Sequence, residues 1–205
     1  MIDAVSERIA LPGGEVELAR PRDAEALLSE EAFEREEYLP YWAELWASGL
    51  ALAHDLSMRS LRGKRTLELG CGLGLPSIAA AQAGGRVLAT DWSPDALRAT
   101  AENAARNGVA VETMLCSWAK PAAIVERAPW DLVLASDVLY ERRNADQLLA
   151  VLPRLVDERG RVLIADPGRA PAGDFLERME ADWHVATTAS RRAPRVSIHR
   201  LRRRV

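Results

Sequence analysis

Three glycines alternate with larger residues after an apolar segment: Gly70, Gly72 and Gly74 follow an acid at Glu68. Glycine permits a tight turn and lets a bound molecule approach the main chain closely. The free amide hydrogens of the helix predicted behind this loop suit an anionic group. Asp91 ends the next predicted strand, where a carboxylate can accept hydrogen bonds from both ribose hydroxyls. The combination predicts a site for a nucleoside-containing cofactor; a tight turn plus a surface aspartate is the alternative.

The glycine loop lacks the signatures of phosphate-binding loops. A dinucleotide fingerprint would need a third glycine where this chain has Leu75, and no Gly-Lys-Ser or Gly-Lys-Thr ending is present. Glu68 at the loop entrance suits an ammonium better than a pyrophosphate. S-adenosylmethionine carries a ribose, an ammonium and a carboxylate but no phosphate. We therefore expect S-adenosylmethionine to be the cofactor.

The composition is that of an ordinary soluble globular protein. The chain has 205 residues, 48% hydrophobic and 28% charged, with a net charge of −3, which argues weakly against a main role in nucleic-acid binding. No apolar run is long enough to span a membrane, and we expect no secretory signal, because the first residues lack a basic start followed by an apolar stretch. The two cysteines, Cys71 and Cys116, and three scattered histidines give no disulfide framework or metal-ligand spacing. We expect a cytoplasmic protein without a metal.

Regularly alternating strands and helices are predicted to position these residues. Strands are predicted over 66–69, 86–90, 110–115, 131–136 and 161–165, after a hairpin over 5–20 and before closing strands over 183–188 and 196–201. Helices are predicted over 22–37, after the aromatic block to near Met58, and over 76–83, 94–107, 143–157 (kinked by Pro153) and 172–181. Residues 120–127 are predicted to form a short helix or turn. Apolar strands alternating with helices predict an α/β fold, a doubly wound, mostly parallel seven-stranded sheet with helices on both faces. We expect an antiparallel C-terminal hairpin and an N-terminal cap of hairpin and helices, 1–60, in the same domain as a core over 61–205.

Four segments carry a resemblance to a known family. They are the aromatic block Pro40-Tyr41-Trp42-Ala43-Glu44-Leu45-Trp46-Ala47-Ser48-Gly49, the glycine loop through Asp91, Ser136-Asp137-Val138-Leu139-Tyr140, and Asp166-Pro167-Gly168-Arg169. With them, residues 38–170 resemble class I, seven-β-strand S-adenosylmethionine-dependent methyltransferases. More narrowly, they resemble the small protein-lysine methyltransferase family that includes the lysine methyltransferase of the electron-transfer flavoprotein β subunit.

The resemblance implies roles for thirteen residues. The cofactor-binding set is Trp46, Glu68, Gly70, Cys71, Gly72, Gly74, Asp91, Trp92, Ser117, Trp118 and Ser136. Within it, Glu68 and the loop would line the methionine end, Asp91 would hold the ribose, and Trp92 would lie against the adenine. Trp46 would close over the cofactor, while Asp137 and Tyr140 would be catalytic near the transferred methyl. Related sequences often have Asp-Trp where this chain has Ser117-Trp118, and a serine hydrogen-bonds without charge.

Ordinary structural roles compete with several of these assignments. Trp42 and Trp46 stand four residues apart and would share a face of one helix, as a cofactor lid or as core packing. Asp137 could cap the segment after its strand, and Tyr140 could be a packing aromatic. Cys71 reads as a small packing residue because no histidine is suggested beside it as a base.

The resemblance implies transfer of a methyl group to a lysine side-chain amine of a protein substrate. A small-molecule N-methyltransferase is the alternative, and a non-catalytic scaffold is a third possibility that the intact loop and Asp91 oppose. Methylation of a nucleobase amine is disfavoured, because the segment from Ser136 to Tyr140 lacks the prolines of that class. We expect a monomer that binds neither membrane nor nucleic acid. Seven arginines and no acid follow Ala189, indicating a solvated edge strand or a contact with an acidic partner or RNA.

Overall fold

The computed structural model describes residues 4–24, 27 and 41–204. The described strands are β1 (Ala4–Leu11), β2 (Gly14–Pro21), β3 (Arg65–Leu69), β4 (Arg86–Asp91), β5 (Val111–Leu115), β6 (Leu132–Ser136), β7 (Arg161–Asp166), β8 (Trp183–Ala189) and β9 (Ser197–Arg203). The α-helices are α1 (Ala47–Ser57), α2 (Leu75–Gln82), α3 (Pro94–Arg106), α4 (Ala122–Val125), α5 (Arg142–Leu155) and α6 (Ala170–Met179), and a 3-10 turn spans Tyr41–Ala43. Most of the helix predicted over 22–37 lies outside the described residues.

The central sheet has seven strands in the order β5-β4-β3-β6-β7-β9-β8. The first five strands are parallel, and β9 runs antiparallel to both of its neighbours. The predicted doubly wound, mostly parallel sheet with an antiparallel C-terminal pair is confirmed. The order of that pair is a finding, since β9 inserts beside β7 and leaves β8 at the edge. No helix within the described ranges is both long enough and apolar enough to cross a bilayer.

Side chains of alternate strand residues enter two separate apolar cores. Leu67 and Leu69 of β3 join one core with α4, α5 and α6, whereas Leu132 and Leu134 of β6 join the other with α1, α2 and the hairpin β1–β2. Because both faces of the sheet are covered, its inner strands are apolar on both sides. This double burial explains why those strands could be recognised as continuous apolar runs.

Asn103 in α3 and Asn107, the C-cap of that helix, attach the N-terminal hairpin to the domain. The Asn107 side chain exchanges two hydrogen bonds with the backbone of Glu17 (2.9 and 2.7 Å), and the Asn103 side chain exchanges two with Ala19 (2.8 and 3.0 Å). The amides therefore occupy the edge of β2 as a neighbouring strand would. Asn103 also donates to the Leu73 carbonyl at 3.0 Å, which links the hairpin to the glycine loop.

Candidate functional site

A cavity of about 610 Å³ opens at the carboxyl ends of β3, β4 and β6. The strand order reverses direction at this point, because β3 is followed along the chain by β4 on one side and later by β6 on the other. Such a switch point is where open α/β sheets bind their ligands. The lining includes Trp46, Gly70, Cys71, Gly72, Asp91, Trp92, Ser117, Trp118, Ser136, Asp137 and Tyr140. The topology thus brings most of the sequence-predicted residues to one place.

The glycine loop is held against the end of β4. The amides of Gly70 and Cys71 both donate to the Thr90 carbonyl, at 2.8 and 3.0 Å. Gly72 donates its amide to Asp91 Oδ2 at 3.1 Å, and the Ser93 amide donates to Oδ1 of the same carboxylate at 3.0 Å. These bonds fix the Asp91 carboxylate at the cavity wall. Burial raises its pKa, although the same backbone donors partly offset that rise.

Gly72 has to be glycine for two reasons. Its φ is +52°, and an added Cβ would lie 3.3 Å from the Trp42 carbonyl oxygen. Side chains rarely adopt that φ, and the neighbouring chain leaves little room. The backbone of the loop consequently faces the cavity without side-chain cover.

Glu68 does not lie on the cavity wall, contrary to the expectation that it lines the methionine end. Its side chain is fully buried, and Oε2 accepts a hydrogen bond from the Ser77 hydroxyl of α2, while Oε1 is buried with no partner among the residues that the structure describes. Side chains alternate along a strand, so Glu68 points away from the Leu67–Leu69 core toward α2. Burial raises its pKa to about 8, so the carboxyl is largely protonated at neutral pH.

Gly74 and Cys71 contribute to the shape of the loop. Gly74 is not among the cavity-lining residues; its φ is +83° and an added Cβ would lie 2.8 Å from the Thr100 side chain. The Thr100 hydroxyl contacts the Gly72 carbonyl at 3.0 Å and Cys71 Sγ at 3.3 Å. Burial, followed by the nearby Asp91 and Glu68, raises the Cys71 pKa well above its usual value. The thiol therefore stays protonated, which supports its interpretation as a packing residue.

Three aromatic residues form the mouth of the cavity: Tyr41, Trp46 and Tyr140. The Tyr41 ring meets the Trp46 ring at a centroid distance of 6.3 Å and the Tyr140 ring at 5.6 Å, both edge-on. Trp46 Nε1 donates to the Tyr41 carbonyl at 2.7 Å. Their exposed fractions are 47%, 37% and 36%. Aromatic faces around an opening can receive a cation or a long aliphatic side chain.

The expectation that Trp42 and Trp46 share a face of one helix is wrong. Trp42 lies in the 3-10 turn, and α1 begins at Ala47, with Trp46 as its N-cap in an extended conformation. The break between the two elements turns Trp46 outward to the mouth. Trp42 packs on the apolar core and also lines the cavity.

Asp137 has an unusual backbone conformation beside this mouth. Within the described ranges it is the one non-glycine residue with positive φ, +59°, and its amide donates to the Ala165 carbonyl at 2.9 Å. Aspartate and asparagine tolerate this conformation better than most residues. Oδ1 of Asp137 accepts a hydrogen bond from Arg169 Nε at 2.6 Å. Local strain of this kind is concentrated at functional sites.

Sequence reasoning did not assign roles to several residues that shape the site. Asn144 donates to the Val138 carbonyl at 3.1 Å and also bonds the Tyr140 side chain, which fixes the turn between Asp137 and Tyr140. Burial nevertheless raises the pKa of Tyr140, so its hydroxyl stays protonated. Thr100 and Asn103 also support the loop. Their spacing of three residues places them on one face of the helix after Asp91, and this spacing is the sequence signal that could have identified them.

The cavity fits S-adenosylmethionine. Its volume lies in the range of small-molecule sites, the uncovered backbone at Gly72 faces it, and the buried carboxylate of Asp91 stands on its wall. Trp92, Ser117 and Trp118 form a further part of the lining, where an aromatic base could stack. No group of three His, Cys, Asp or Glu within the described residues is arranged to hold a metal ion.

Sequence comparisons match this chain to a family. A family model described as "Lysine methyltransferase" matches residues 35–182. The electron transfer flavoprotein beta subunit lysine methyltransferase of Xenopus laevis is 39% identical over 135 residues, covering 64% of this chain and 54% of its own. A histone-arginine methyltransferase of Mus musculus is 31% identical over 155 residues, covering 72% of this chain and 61% of its own. The chain thus spans about half the length of the flavoprotein-modifying relatives.

Solved structures share the fold. A 16S rRNA methyltransferase of T. Thermophilus, solved with AdoMet and guanosine, has a TM-score of 0.71 at 13% identity, over 98% of this chain and 51% of that chain. Magnesium protoporphyrin IX methyltransferase from Synechocystis PCC 6803, solved with bound SAH, has a TM-score of 0.59 at 21% identity, over 77% and 81%. At such identities the likeness establishes a Rossmann-like methyltransferase fold.

Proposed function

Because the chain belongs to the lysine methyltransferase family whose model spans residues 35–182, we propose that it transfers a methyl group from S-adenosylmethionine to a lysine side-chain amine of a protein. One observation carries this proposal. The Asp137 carboxylate and the mouth rings Trp46 and Tyr140 border the same cavity as the glycine loop and Asp91. A cofactor and a cationic side chain could therefore enter one space from opposite ends.

The proposed reaction is a displacement at carbon. When bound, S-adenosylmethionine supplies a methyl group activated by a positively charged sulfur. The lone pair of the lysine nitrogen forms the new N–C bond, and the electron pair of the broken C–S bond stays on sulfur. The lysine must first release a proton to water, because an ammonium has no lone pair. At pH 7 this release costs free lysine about 4.6 kcal/mol.

The residues at the mouth are arranged to receive and orient that amine. Asp137, with a side chain only 6% exposed, attracts and orients the arriving ammonium. The rings of Tyr41, Trp46 and Tyr140 exclude water from the approach, which favours the neutral form of the amine. Holding the acceptor and the methyl group together accounts for much of the catalysis expected of such a site.

A protein acceptor is supported by the exposure of the mouth and by the relatives. The three rings remain between 36% and 47% exposed, so a lysine on a folded surface or a flexible segment could reach Asp137. Relatives at 39% and 31% identity are named as methyltransferases of a flavoprotein subunit and of histone. Both names describe protein acceptors.

Methyl transfer into a lysate tests the proposal. Purified protein and tritiated S-adenosylmethionine would be added to lysate of the source organism from which this gene has been deleted. We expect label in a protein band of discrete mass, removed by Asp137→Asn and retained by the surface control Asp146→Asn. Tandem mass spectrometry of the band should locate methyl groups on lysine. Label confined to small solutes would contradict the proposal.

A further inference from the structure

Arg169 contacts both the Asp137 carboxylate and the ring of Trp46. Its Nε donates to Asp137 Oδ1 at 2.6 Å, and its guanidinium carbon lies 5.7 Å from the centre of the Trp46 ring. The arginine is one-third exposed, whereas the Asp137 side chain is nearly buried. Asp137 lines the cavity and Arg169 does not. The arginine therefore contacts one oxygen of the carboxylate from outside the cavity lining.

The loop after β7 fixes the arginine in this place. Oδ1 of Asp166 accepts hydrogen bonds from the amides of Gly168 and Arg169, at 2.7 and 2.8 Å. Asp166 is fully buried, and its Oδ2 has no partner within the described residues. Arg169 is the N-cap of α6, with an extended backbone. Because two hydrogen bonds to Asp166 hold this loop, the backbone of Arg169 has little freedom, as a positioning residue requires.

We propose that Arg169 is a positioning residue that offsets the negative charge of Asp137, so that the acceptor amine binds in an orientation for transfer without being held in its protonated form. This inference rests on the proposed lysine acceptor. A nearly buried carboxylate without a counter-charge would stabilise an ammonium beside it and oppose loss of its proton. With Arg169 in place, the pair carries no net charge. Asp137 then orients the amine through a hydrogen bond.

Other charges around the mouth do not substitute for the arginine. The remaining charged or titratable side chains that line the cavity are Tyr41, Glu44, Cys71, Asp91, Asp95, Cys116, Tyr140 and Arg143. Arg143 pairs with Glu141 at 3.0 Å, and Asp95 pairs with Arg98 at 2.7 Å. Asp166 is a further acid close enough to interact electrostatically with both Asp137 and Arg169, and burial raises its pKa. In the described part of the chain, Arg169 is the cation paired directly with Asp137.

The pH dependence of turnover separates this role from a merely structural one. The acceptor is the labelled protein from the lysate experiment, assayed from pH 6 to pH 10. In Arg169→Met we expect the half-maximal rate to move about one pH unit upward, so that turnover falls about tenfold at pH 7 and recovers at high pH. Arg169→Lys should keep the wild-type profile. A loss by one constant factor at every pH, or no change, would overturn the proposal.

Binding of a lysine mimic gives a second test that needs no turnover. Butylammonium chloride would be titrated at pH 7 into protein saturated with S-adenosylhomocysteine and followed by proton NMR. We expect Arg169→Met to bind it about tenfold more tightly than wild type, and Asp137→Asn/Arg169→Met to lose that gain. Pentanol, a neutral analogue, should bind all variants alike. Equal butylammonium affinity in wild type and Arg169→Met would overturn the inference.

These measurements distinguish the inference from the proposed function. Arg178→Met, on the same helix and paired with Asp146 on the surface, is the matched control and should behave as wild type in both tests. If no protein is labelled, the lysine methyltransferase proposal fails, and the butylammonium titration still decides whether Arg169 balances Asp137. Cofactor affinity measured by calorimetry should remain within twofold in every Arg169 variant.

Discussion

The Gly72 amide and the Asp91 carboxylate are joined by a 3.1 Å hydrogen bond. The loop between β3 and α2 and the end of β4 are thereby held at one fixed spacing, although 19 positions separate the two residues. The second carboxylate oxygen accepts from Ser93. Asp91 therefore shapes the loop in addition to any contact that it makes with a ribose.

Replacing Asp91 with asparagine should weaken cofactor binding about a hundredfold. An amide offers one accepting oxygen, so either Gly72 or Ser93 would face an NH2 group instead of an acceptor. The lost acceptor and the lost charge-assisted bonds to ribose each cost about 1–3 kcal/mol. Isothermal titration with S-adenosylmethionine measures the change, with the surface variant Asp146→Asn as control. An affinity within threefold of wild type would show that the carboxylate does not hold the cofactor.

Gly74→Ala should destabilise the fold more than Gly13→Ala does. The two glycines have nearly equal φ, +83° and +84°, but an added Cβ meets Thr100 at 2.8 Å only at Gly74. The backbone conformation should cost about 1–2 kcal/mol in both variants. The clash should add about 1–3 kcal/mol at Gly74. Urea unfolding measures both, and equal midpoints would mean that the loop relaxes away from Thr100.

Asn103→Ala should weaken cofactor binding, whereas Asn107→Ala should not. Each substitution removes one of the two attachments of the hairpin, because each side chain exchanges two hydrogen bonds with β2. The Asn103 amide also bonds the Leu73 carbonyl inside the glycine loop. We expect each variant to lose about 1–3 kcal/mol of unfolding free energy. Calorimetry with the cofactor should show a severalfold loss for Asn103→Ala alone; equal losses would indicate that the hairpin acts as a whole.

Asp137→Asn should reduce methyl transfer by about 10²-fold, because the amine loses its orienting acceptor, and leave cofactor affinity within twofold. Asparagine is the suitable replacement because it tolerates the positive φ at this position. It preserves shape and removes the charge that receives the amine. Tritium transfer and calorimetry provide the two readouts. Turnover near the wild-type rate would remove Asp137 from the reaction.

The stability of the protein should fall as pH rises from about 5 to 8, and Glu68→Gln should reduce that fall. The folded-state pKa of Glu68 is raised to about 8 from 4.5. Between these values the folded state keeps a proton that the unfolded state has released. Each pH unit of increase in that interval therefore lowers the free energy of unfolding by up to about 1.4 kcal/mol. Glutamine carries no titrating proton. Urea unfolding at pH 5.5, 6.5 and 7.5 measures both slopes; equal slopes would place the titrating group elsewhere.

The order and type of the elements could be predicted from the sequence because both faces of the central strands are buried. Strand β6 is apolar and buried from Leu132 to Ala135, and α3 has Ser93, which accepts from the Ala96 amide, as its N-cap. Both signals are local, because each depends only on residues that are close together in the sequence. The glycine loop and Asp91 were recognised together because a strand–turn–helix–strand unit has a nearly fixed length. Gly70, Cys71, Gly72, Asp91 and Trp92 of the predicted lining lie in or directly after that unit, and the other predicted lining residues followed from the family resemblance.

What the sequence could not determine depends on contacts between distant segments. Glu68 and the lining residue Gly70 stand two positions apart, yet only the packing of α2 shows that Glu68 is buried behind the loop. Asp137 and Arg169 are 32 positions apart and meet because β6 and β7 are adjacent strands of one sheet. Local propensity specifies where a strand ends. Only the tertiary structure decides which side chains at the ends of two strands form ion pairs and hydrogen bonds, and which of them are buried.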